Sequence, residues 1–547
     1  MQAKATGQKL RTGMMLSVLA LLLALVYLLV RTALFILTDT PWPDRGVGLL
    51  LLGAETFILV HGVGYFLEVI HVASRRHTLA AQDTEPAALT TFPPTAIIVS
   101  SFKEPLEVVE ETLISFRNQT YPNKRLYFLD DTRYDLPGDD PEAMRRYRQA
   151  IDDLCRRLNV NLFRRRWRGA KAGMINDFLH FLDGKPDEGF EFHPFSRDGD
   201  RGTEQYIIVF DADAIPLPHF TSSLVARIEK DPRLAFVQTP QYYSNFETNR
   251  VARAAGLQQV VFYEYICEGK SISDAMFCCG TNVIFRREAL LDVGGFDESS
   301  VTEDFATSLK FHLRGWKSAY LSEVLTFQLG PEDLGGYFKQ QFRWALGTVG
   351  LLRQIVPLFL SHPGRLTPVK WWEYLLSSTY YFIGPVFLIM VTCPLLYLFF
   401  DIPVLFARPD LHAIFFLPYL VLTLATFYWT LQERHYRPRD LILGQFLMAI
   451  TFPVYLKASI LALLGVRGTF VVTPKGRSEA LPLRDIWPQV SLAALCLAAI
   501  VWGANRLLFH DGPPAALLVN LFWTSYHFAI LASVFYFNEP DRKGDAP

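Results

Sequence analysis

The chain has 547 residues, half of them hydrophobic, and a mean hydropathy of +0.18. This length allows one large domain and several membrane helices, and the hydropathy is high for a soluble protein. The 53 Lys and Arg residues nearly balance the 54 Asp and Glu residues, so bulk charge does not favour a nucleic-acid partner. The six cysteines show no CxxC pair and no metal-ligand spacing, and they indicate neither a zinc site nor a disulfide framework.

Two apolar segments of spanning length open the chain, residues 14–37 and residues 47–73. The first follows basic residues, as a signal peptide would, but it is too long and lacks a small-residue cleavage site. A membrane span needs about 20 apolar residues, so we predict a retained two-helix anchor over residues 1–74.

Apolarity then falls, and residues 75–366 alternate short β-rich runs with helical patterns. This alternation is typical of an α/β domain with a largely parallel sheet. Strands are predicted at 95–100, 127–129 and 206–210, and polar residues follow each of them. Ligands of open parallel sheets bind outside the carboxyl ends of the strands, so we expect a binding site there.

Asp211 and Asp213 lie at the end of the third predicted strand, where both carboxylates can reach one ion. Mg²⁺ and Mn²⁺ favour carboxylate and phosphate oxygens, and Mg²⁺ usually takes one or two carboxylates together with substrate phosphates. The pair therefore predicts a divalent metal site on a diphosphate. A solvated turn is the alternative interpretation.

Thr302-Glu303-Asp304 opens a further helical pattern. Thr302 can serve as the N-cap of that helix, which would explain the string without any catalysis. Asp304 can instead take a proton from an acceptor hydroxyl as a general base.

Basic residues lie between the second and third predicted strands. One run is formed by Arg164, Arg165, Arg166 and Arg168. It is interpreted either as a solvated surface or as a cover over a diphosphate or anionic lipid headgroups. Lys171 follows the run and precedes a helix, where an exposed lysine is ordinary.

Gln340 to Trp344 lie in an amphipathic stretch that begins near Gly336. A guanidinium fork matches phosphate geometry, and an indole ring suits the face of a sugar ring. The alternative is an interfacial helix with a snorkelling Arg343 and with Trp344 at headgroup level.

Four segments of spanning length follow the domain, at residues 374–400, 411–431, 488–505 and 514–537. Residues 441–456 are short for a crossing, and we assign them to an interfacial helix. This assignment keeps the following basic loop inside, as the positive-inside tendency prefers. We therefore predict six spans plus interfacial helices, with both termini and the α/β domain in the cytoplasm. The membrane region comprises residues 367–547, with an interfacial helix and loop over 441–485.

The chain resembles the membrane-embedded family 2 glycosyltransferases, which include bacterial cellulose synthase and the chitin, hyaluronan and curdlan synthases. The resemblance lies in four strings and their order: Asp211-Ala212-Asp213, Thr302-Glu303-Asp304, Gln340-Gln341-Phe342-Arg343-Trp344 and Phe470-Val471-Val472-Thr473-Pro474-Lys475. It runs from about Thr95 to about Gly476 and implies a GT-A-like α/β domain inserted between transmembrane helices. The last string resembles the gating loop of cellulose synthases and favours that branch.

The resemblance also implies roles for individual residues. The catalytic set would be Asp304 as the base, with Glu303 and Thr302 in support. The metal ligands would be Asp211 and Asp213. The residues binding the UDP-sugar would be Glu104, Asp130, Asp131, Lys171, Asp211, Gln340, Arg343, Phe470, Thr473 and Lys475.

The acceptor would be bound by Cys279, Gly280, Trp344, Tyr380 and Tyr381. Ordinary turn packing is the alternative for Cys279 and Gly280, and helix–helix hydrogen bonding is the alternative for the two tyrosines. Phe102-Lys103 replaces the Tyr-Asn that is commoner in the opening loop of the family's nucleotide site.

We therefore expect a processive inverting β-glycosyltransferase of the inner (plasma) membrane that uses Mg²⁺ or Mn²⁺. It would polymerise a UDP-sugar, with UDP-glucose and a β-glucan as the leading donor and product, and move the chain across the membrane. The expected partners are the donor, the growing polysaccharide, the lipid bilayer and accessory export subunits, with no nucleic acid.

A chitin-, poly-N-acetylglucosamine- or hyaluronan-type synthase and a non-processive lipid glycosyltransferase are the alternatives. A transporter with a degenerate cytosolic domain is disfavoured, because the acidic strings are intact. Only ten residues follow position 537, so we expect no C-terminal barrel that binds cyclic di-GMP.

Overall fold

The structure is a computed structural model. It describes residues 2–38, 41–83, 89–136, 138–185, 187–196, 201–403, 409–432, 436–466, 468 and 479–539. The first two elements are long helices, α1 (Gln2–Leu37) and α2 (Trp42–Asp83). They contain the two apolar segments predicted as an anchor.

The α/β domain is built on eleven strands. In chain order they are β1 (Thr95–Ser101), β2 (Lys124–Asp130), β3 (Asn161–Arg164), β4 (Glu191–His193), β5 (Tyr206–Asp211), β6 (Ile215–Pro216), β7 (Leu234–Gln238), β8 (Tyr242–Tyr243), β9 (Val283–Arg286), β10 (Lys317–Tyr320) and β11 (Thr326–Gln328). The main sheet has the order β10-β7-β9-β5-β1-β2-β3-β4, and β6, β11 and β8 form a small second sheet. All three predicted strands are confirmed.

The centre of the main sheet is parallel, as predicted. β1 lies between β5 and β2 and is parallel to both, and β3 continues the parallel order beyond β2. The exceptions are β9, which is antiparallel to β5 and β7, and β4, which is antiparallel to β3. Because β5, β1 and β2 run in one direction, their carboxyl ends meet at one edge of the sheet.

Ten helices belong to this domain or follow it directly. They are α3 (Leu106–Arg117), α4 (Pro141–Leu158), α5 (Ala170–Leu182), α6 (Phe220–Ile228), α7 (Arg250–Val261), α8 (Cys267–Ile272), α9 (Arg287–Asp292), α10 (Glu303–Leu313), α11 (Leu334–Gly350) and α12 (Leu352–Ser361). A π-helical turn, Phe262–Ile266, joins α7 to α8.

Both faces of the sheet are covered by helices, because side chains of a strand alternate between faces. Ile97 and Val99 of β1 pack with Phe116 of α3, whereas Ile98 packs with Phe178 of α5. The domain therefore has three layers. Its two cores are fully buried, which makes the sheet a rigid support for the residues at its edge.

Among the residues described after position 366, seven helices follow: α13 (Pro368–Thr379), α14 (Ile383–Phe400), α15 (Pro409–Gln432), α16 (Pro438–Ile450), α17 (Phe452–Leu463), α18 (Trp487–Leu508) and α19 (Pro514–Asn538). A 3₁₀ turn, Tyr380–Phe382, lies between α13 and α14. The predicted span 374–400 is thus two helices with a tight turn inside it.

Within the described part of the chain, seven helical segments are long and apolar enough to cross a membrane. Six of them coincide with the predicted spans. The seventh is Leu334–Ser361, and a bent pair, Asp440–Ile450 with Phe452–Leu463, passes the same test when its two helices are taken together. Both segments that the sequence assigned to the interface therefore also have the length and composition of spans.

Candidate active site

Asp211 is the last residue of β5, and Asp213 lies in the turn that follows. The hydroxyl of Thr281 accepts a hydrogen bond from the backbone N–H of Asp211 at 3.1 Å, and so fixes the end of the strand. The Asp211 side chain is 44% exposed, whereas Asp213 is 7% exposed. Two carboxylates thus lie two residues apart at the open edge of the sheet.

Lys171 lies in the first turn of α5 and points to this edge. Its Nζ donates to Asp211 Oδ1 at 2.5 Å and to the carbonyl of Gly280 at 2.8 Å. Burial lowers the pKa of Lys171, but the carboxylates of Asp211 and Glu303 raise it more, so the net shift is upward and the ammonium stays charged. The interpretation of Lys171 as an ordinary exposed lysine is wrong, since its side chain is 15% exposed.

Glu303 and Asp304 open α10, as the sequence pattern predicted. Thr302 occupies the N-cap position, but its side chain makes no capping hydrogen bond, so capping does not explain this residue. Burial raises the pKa of Asp304 to about 7, and the adjacent Glu303 adds to the rise. A carboxylate with a pKa near neutrality is suited to accept and release a proton.

Gly280 approaches Asp304 closely. Its φ is +82°, a backbone conformation that favours glycine, and a Cβ added here would lie 2.9 Å from Asp304 Oδ2. The carbonyl of the same residue accepts from Lys171. The loop of Cys279 and Gly280 therefore brings backbone next to Asp304 and Asp211, and a side chain at position 280 would occupy that space.

Three buried polar residues that the sequence analysis missed hold this loop in place. Gln238, at the end of β7, accepts from the Cys279 N–H and donates to the Thr281 carbonyl, both at 2.8 Å. Ser308 of α10 accepts from the Cys278 N–H at 2.8 Å. Thr281 binds the end of β5, as described above. A polar residue closing an otherwise apolar strand, as in Leu-Ala-Phe-Val-Gln, is the only signal that could have singled out Gln238.

Asp130 and Asp131 lie at the end of β2, beside β1. Asp130 accepts from Tyr134 at 2.5 Å and from Arg164 Nε at 2.7 Å, and it is 3% exposed. Asp131 lies 3.1 Å from a guanidinium nitrogen of Arg165. Burial raises the pKa of Asp131 to about 7 in spite of this arginine.

The arginine run is not one solvated surface. The side chains of Arg164 and Arg165 are 4% and 1% exposed, and both are paired with carboxylates. Arg168 is half-exposed and pairs with Asp177 and Glu298. The solvated interpretation is therefore wrong for the first two arginines, because their charges neutralise carboxylates that the sheet buries. A polar cavity of about 190 Å³ adjoins them, between Asp130, Tyr134 and Glu191 among others.

The loop after β1 carries Glu104. The backbone carbonyl of Glu104 accepts from Tyr147 of α4 at 2.8 Å. Lys103, where the family commonly has Asn, has a φ of +54° and forms an ion pair with Asp139. The substitution therefore introduces a charge pair between the loops that follow β1 and β2.

Helix α11 carries Gln340, Arg343 and Trp344, all half-buried. Asp333 caps the helix through its side chain. A Cβ added at Gly347 would lie 2.5 Å from the Thr302 hydroxyl, so the two elements meet without a side chain between them.

Because of this packing, residues of α11 and its neighbours interact electrostatically with Glu303 and Asp213. Burial raises the pKa of Glu303, and Lys171 and Arg343 oppose the rise. Tyr243 interacts with both Gln340 and Asp213. Gln340 and Arg343 therefore face the same cleft as Asp213 and Glu303, and Trp344 follows them on the helix.

Tyr380 and Tyr381 lie in the 3₁₀ turn between α13 and α14. Their rings are 5.2 Å apart, and the ring of Tyr381 is 5.2 Å from that of Tyr455. The hydroxyl of Tyr455 donates to Gln341 of α11 at 2.9 Å. The two tyrosines are thus connected to α11 through Tyr455 and Gln341.

Phe470, Thr473 and Lys475 lie outside the described residues. Of the flanking residues, Gly468 packs against Leu346 and Val301, and Glu479 donates its N–H to Asp333 at 3.4 Å. Both flanks thus contact α11 or the residue before Thr302.

Among the described residues, no group of three or more His, Cys, Asp or Glu side chains could hold a metal ion alone. The pair Asp211 and Asp213 still fits the smaller set of carboxylates that Mg²⁺ takes together with phosphate oxygens. Polar residues at the carboxyl edge of a parallel sheet, a pair of carboxylates and an acid whose pKa is about 7 are the arrangement expected of a GT-A-like glycosyltransferase.

Comparisons with known proteins agree with that class. Residues 96–294 match the model of glycosyl transferase family 2, and residues 206–463 match that of glycosyl transferase family group 2. The chain is 28% identical over 546 residues to the cellulose synthase catalytic subunit [UDP-forming] of Pseudomonas fluorescens (strain SBW25), covering 95% of this chain and 66% of that protein. It is also 28% identical to putative cellulose synthase 2 of Komagataeibacter xylinus, covering 98% of this chain and 33% of that protein.

The predicted resemblance to cellulose synthase-like family 2 glycosyltransferases is therefore confirmed, together with the predicted fold class. Among solved structures, a mannosyltransferase from Pyrobaculum calidifontis in complex with GDP-Man and Mn²⁺ matches 77% of this chain and 100% of its own, with 18% identity and a TM-score of 0.43. The chain spans about two thirds or less of the cellulose synthase relatives.

Proposed function

We propose that this chain is a processive inverting β-glycosyltransferase that polymerises a UDP-sugar, with UDP-glucose as donor and a β-glucan as product. The observation that carries the proposal is the close approach of Asp304 to the loop of Gly280, while Lys171 bridges that loop to Asp211. The proposed base, the proposed acceptor loop and the proposed metal ligands thus lie beside one cleft.

Asp304 would act as the general base. It takes the proton of the acceptor hydroxyl as that oxygen attacks the anomeric carbon, and the bond to the nucleoside diphosphate breaks on the opposite face, which inverts the configuration. A pKa of about 7 leaves a substantial fraction of Asp304 ionised at neutral pH. Such a base typically contributes about 10²–10⁴-fold to the rate.

The donor would lie at the carboxyl ends of β5, β1 and β2. Asp211 and Asp213 would hold Mg²⁺ or Mn²⁺, and the metal would neutralise charge on the departing diphosphate. Lys171 and Arg343 add positive charge at the same edge, and Arg343 suits a bidentate contact with phosphate. Glu104, Asp130 and Asp131 would line the nucleoside side.

The membrane part supports export of the product. An internal cavity of about 190 Å³ lies between α14, α16, α17 and α19, lined by Phe387, Met448, Tyr455, Trp523 and His527 among others. One of its lining residues, Tyr455, donates a hydrogen bond to Gln341 of α11. The lining is mainly apolar, and its aromatic rings would stack on the faces of sugar rings. Residues 1–74 would anchor the domain 75–366, and residues 367–547 would form the path.

Incorporation of individual radiolabelled UDP-sugars by membranes that contain the full chain tests this proposal. We expect polymer from UDP-glucose that β-glucan hydrolases digest, with a linkage-specific pattern. Incorporation of UDP-N-acetylglucosamine alone would instead indicate an amino-sugar synthase. A short lipid-linked product would indicate a non-processive enzyme.

Orientation in the inner membrane has its own test, because the catalytic domain must meet cytoplasmic UDP-sugar. We expect single cysteines at Asp44, Asp401 and Asp511 to be labelled from outside. Cysteines at Thr473 and Asp541 should be labelled only after permeabilisation. Outside labelling at position 473 would place the loop of Phe470 to Lys475 on the wrong side for a nucleotide contact.

A further inference from the structure

Three charged side chains that the proposed reaction does not use are buried together where the α/β domain meets the membrane helices. They are Glu68 of α2, Lys270 of α8 and Glu373 of α13, and they are 3%, 2% and 6% exposed. The ammonium of Lys270 forms an ion pair with Glu373. Burying charged groups costs free energy unless they are paired, so this cluster has a structural or functional reason.

Glu68 fixes the same helix from the other side. Its carboxyl group lies directly over Gly269, the residue before Lys270, so closely that a Cβ at position 269 would overlap it. Glu68 also interacts with Glu373. Helix α8 is therefore held between α2, from the N-terminal membrane pair, and α13, which begins the later membrane region.

Lys270 also reaches toward the cleft. Its Nζ lies 5.6 Å from the centre of the Phe277 ring, a cation–π contact. The backbone carbonyl of Lys270 accepts from the Ala275 N–H at 2.8 Å. Both ends of this residue thus hold the segment that leads to Cys279 and Gly280.

Phe277 connects Lys270 to the residue that follows the proposed base. Its ring packs edge-on against Phe305 at 4.8 Å, and Phe305 directly follows Asp304. Phe305 in turn packs on Tyr374, the neighbour of Glu373 on α13, at 5.5 Å. The ion pair, the ring of Phe277 and the start of α10 therefore form one closed set of contacts.

A buried ion pair adds little net stability compared with apolar residues of the same size, so stapling the domain to the membrane does not explain it. We propose that Lys270, held by Glu373, is a positioning residue that sets the acceptor loop of Cys279 and Gly280 against Asp304, with Glu68 fixing α8. This inference rests on the proposed function, and it predicts that Lys270 governs transfer to the acceptor rather than donor binding.

The test compares Lys270→Met with wild type in the full chain, measuring sugar incorporated into polymer and UDP released from radiolabelled UDP-glucose. We expect polymer formation to fall about 10²-fold, the size of effect that a misplacement near 1 Å produces. UDP release should fall less, because water can replace the acceptor hydroxyl and release free glucose, so that fewer sugars are incorporated per UDP. Calorimetric UDP binding should be unchanged. Lys270→Arg, which keeps the ion pair and the cation–π contact, should restore the ratio.

A readout independent of sugar chemistry is alkylation of the cysteines, resolved by mass spectrometry. In Lys270→Met, Cys279 should react faster, while Cys155, which is fully buried in the domain core, should stay protected. The matched control is Arg253→Met, which breaks another ion pair between the domain and the membrane helices, Arg253 with Asp440 at 3.2 Å, away from Phe277. The control should leave the incorporation ratio and Cys279 reactivity unchanged.

Should Cys155 become reactive in the single variant, the double variant Lys270→Met/Glu373→Met replaces it, since it leaves no unpaired partner of that ion pair. A reduced incorporation ratio in the folded double variant supports the inference. An unchanged ratio, or a proportional fall of polymer and UDP release, overturns it. Failure of wild type itself to make polymer would overturn the proposed function instead.

Discussion

Two places at the same edge of the sheet both gather carboxylates, and they differ in how the charge is balanced. Beside β2 and β3, Asp130 is paired with Arg164 and Asp131 lies against Arg165. Beside β5 and α10, a larger group of acids interacts electrostatically with Lys171 and Arg343. The members of that group are Asp211, Asp213, Glu303 and Asp304.

This difference distinguishes a place where carboxylates stabilise the fold from a place where they are available for the reaction. Where each carboxylate has its own buried arginine, the protein itself completes the charge balance. Where acids outnumber nearby bases, burial and the neighbouring acid together raise the pKa of an acid, as in Asp304, and a metal ion or a proton can complete the balance. Burial, together with Asp130 and Asp177, also raises the pKa of Asp131 beside its arginine, so the contrast rests on composition as well as on pKa.

The largest effect is expected for Asp304→Asn. The amide is nearly isosteric but cannot accept the proton, so polymer formation should fall about 10²–10⁴-fold while UDP binding persists. Incorporation assays and calorimetry measure the two quantities. Asp153→Asn, a change at an exposed ion pair on α4, is the matched control. Elongation by Asp304→Asn near the wild-type rate would remove Asp304 as the base.

Asp211→Ala and Asp213→Ala should weaken the metal-dependent binding of UDP, because each variant removes one of the two proposed carboxylate ligands. Titration of UDP with and without Mg²⁺ or Mn²⁺ measures this. The melting temperature should change little in Asp211→Ala, since that side chain is 44% exposed. An unchanged metal dependence in both variants would exclude the pair as ligands.

Asp130→Ala tests the place beside β2 and β3, where carboxylates are paired with arginines. It leaves the buried charge of Arg164 with weaker compensation, so the free energy of unfolding should fall by about 3 kcal/mol. Thermal unfolding of the purified full chain in detergent would detect the loss as a lower melting temperature. If Asp211→Ala destabilises the protein as much as Asp130→Ala, the two places do not differ as described.

The pH dependence of polymer formation should follow Asp304, whose pKa is about 7. Below that pH the carboxyl group is protonated and cannot act as a base, so the rate should rise about tenfold from pH 6 to pH 8. Glu303→Gln removes a neighbouring charge and should move the profile to lower pH. A profile unaffected by this change would mean that another group titrates.

The same raised pKa affects stability with a definite sign. The folded chain holds this proton more tightly than the unfolded chain, so the stabilising contribution is present at low pH and is lost as the pH rises through about 7.

The smallest effect is expected for shortening the loop of Phe470 to Lys475, which lies outside the described residues. A loop that closes over the donor would exclude water and complete the site, so turnover should fall several-fold without a change in melting temperature. Steady-state kinetics on UDP-glucose measure it. Unchanged kinetics would leave this string as a simple connector between α17 and α18.

The sequence by itself determined the elements. The strands ending before Asp130 and Asp211, the helix opening at Glu303, and the six apolar spans follow from local composition and periodicity, which the chain carries within windows of 6 to about 20 residues. The order of the acidic strings also determined the resemblance. The expectation that Thr302 would cap α10 failed, because the Thr302 side chain makes no capping hydrogen bond and its hydroxyl lies against Gly347 of α11.

Only the tertiary structure decided which charges meet. The packing of the helices and loops on the sheet sets Lys171 on Asp211, and the turn at Gly280 against Asp304. It also turned Arg164 and Arg165 inward, and joined Lys270 to Glu373 across 103 residues of chain. Such pairings depend on strand order and helix packing, which no local window contains, and they decide which carboxylates are neutralised and which remain available for chemistry.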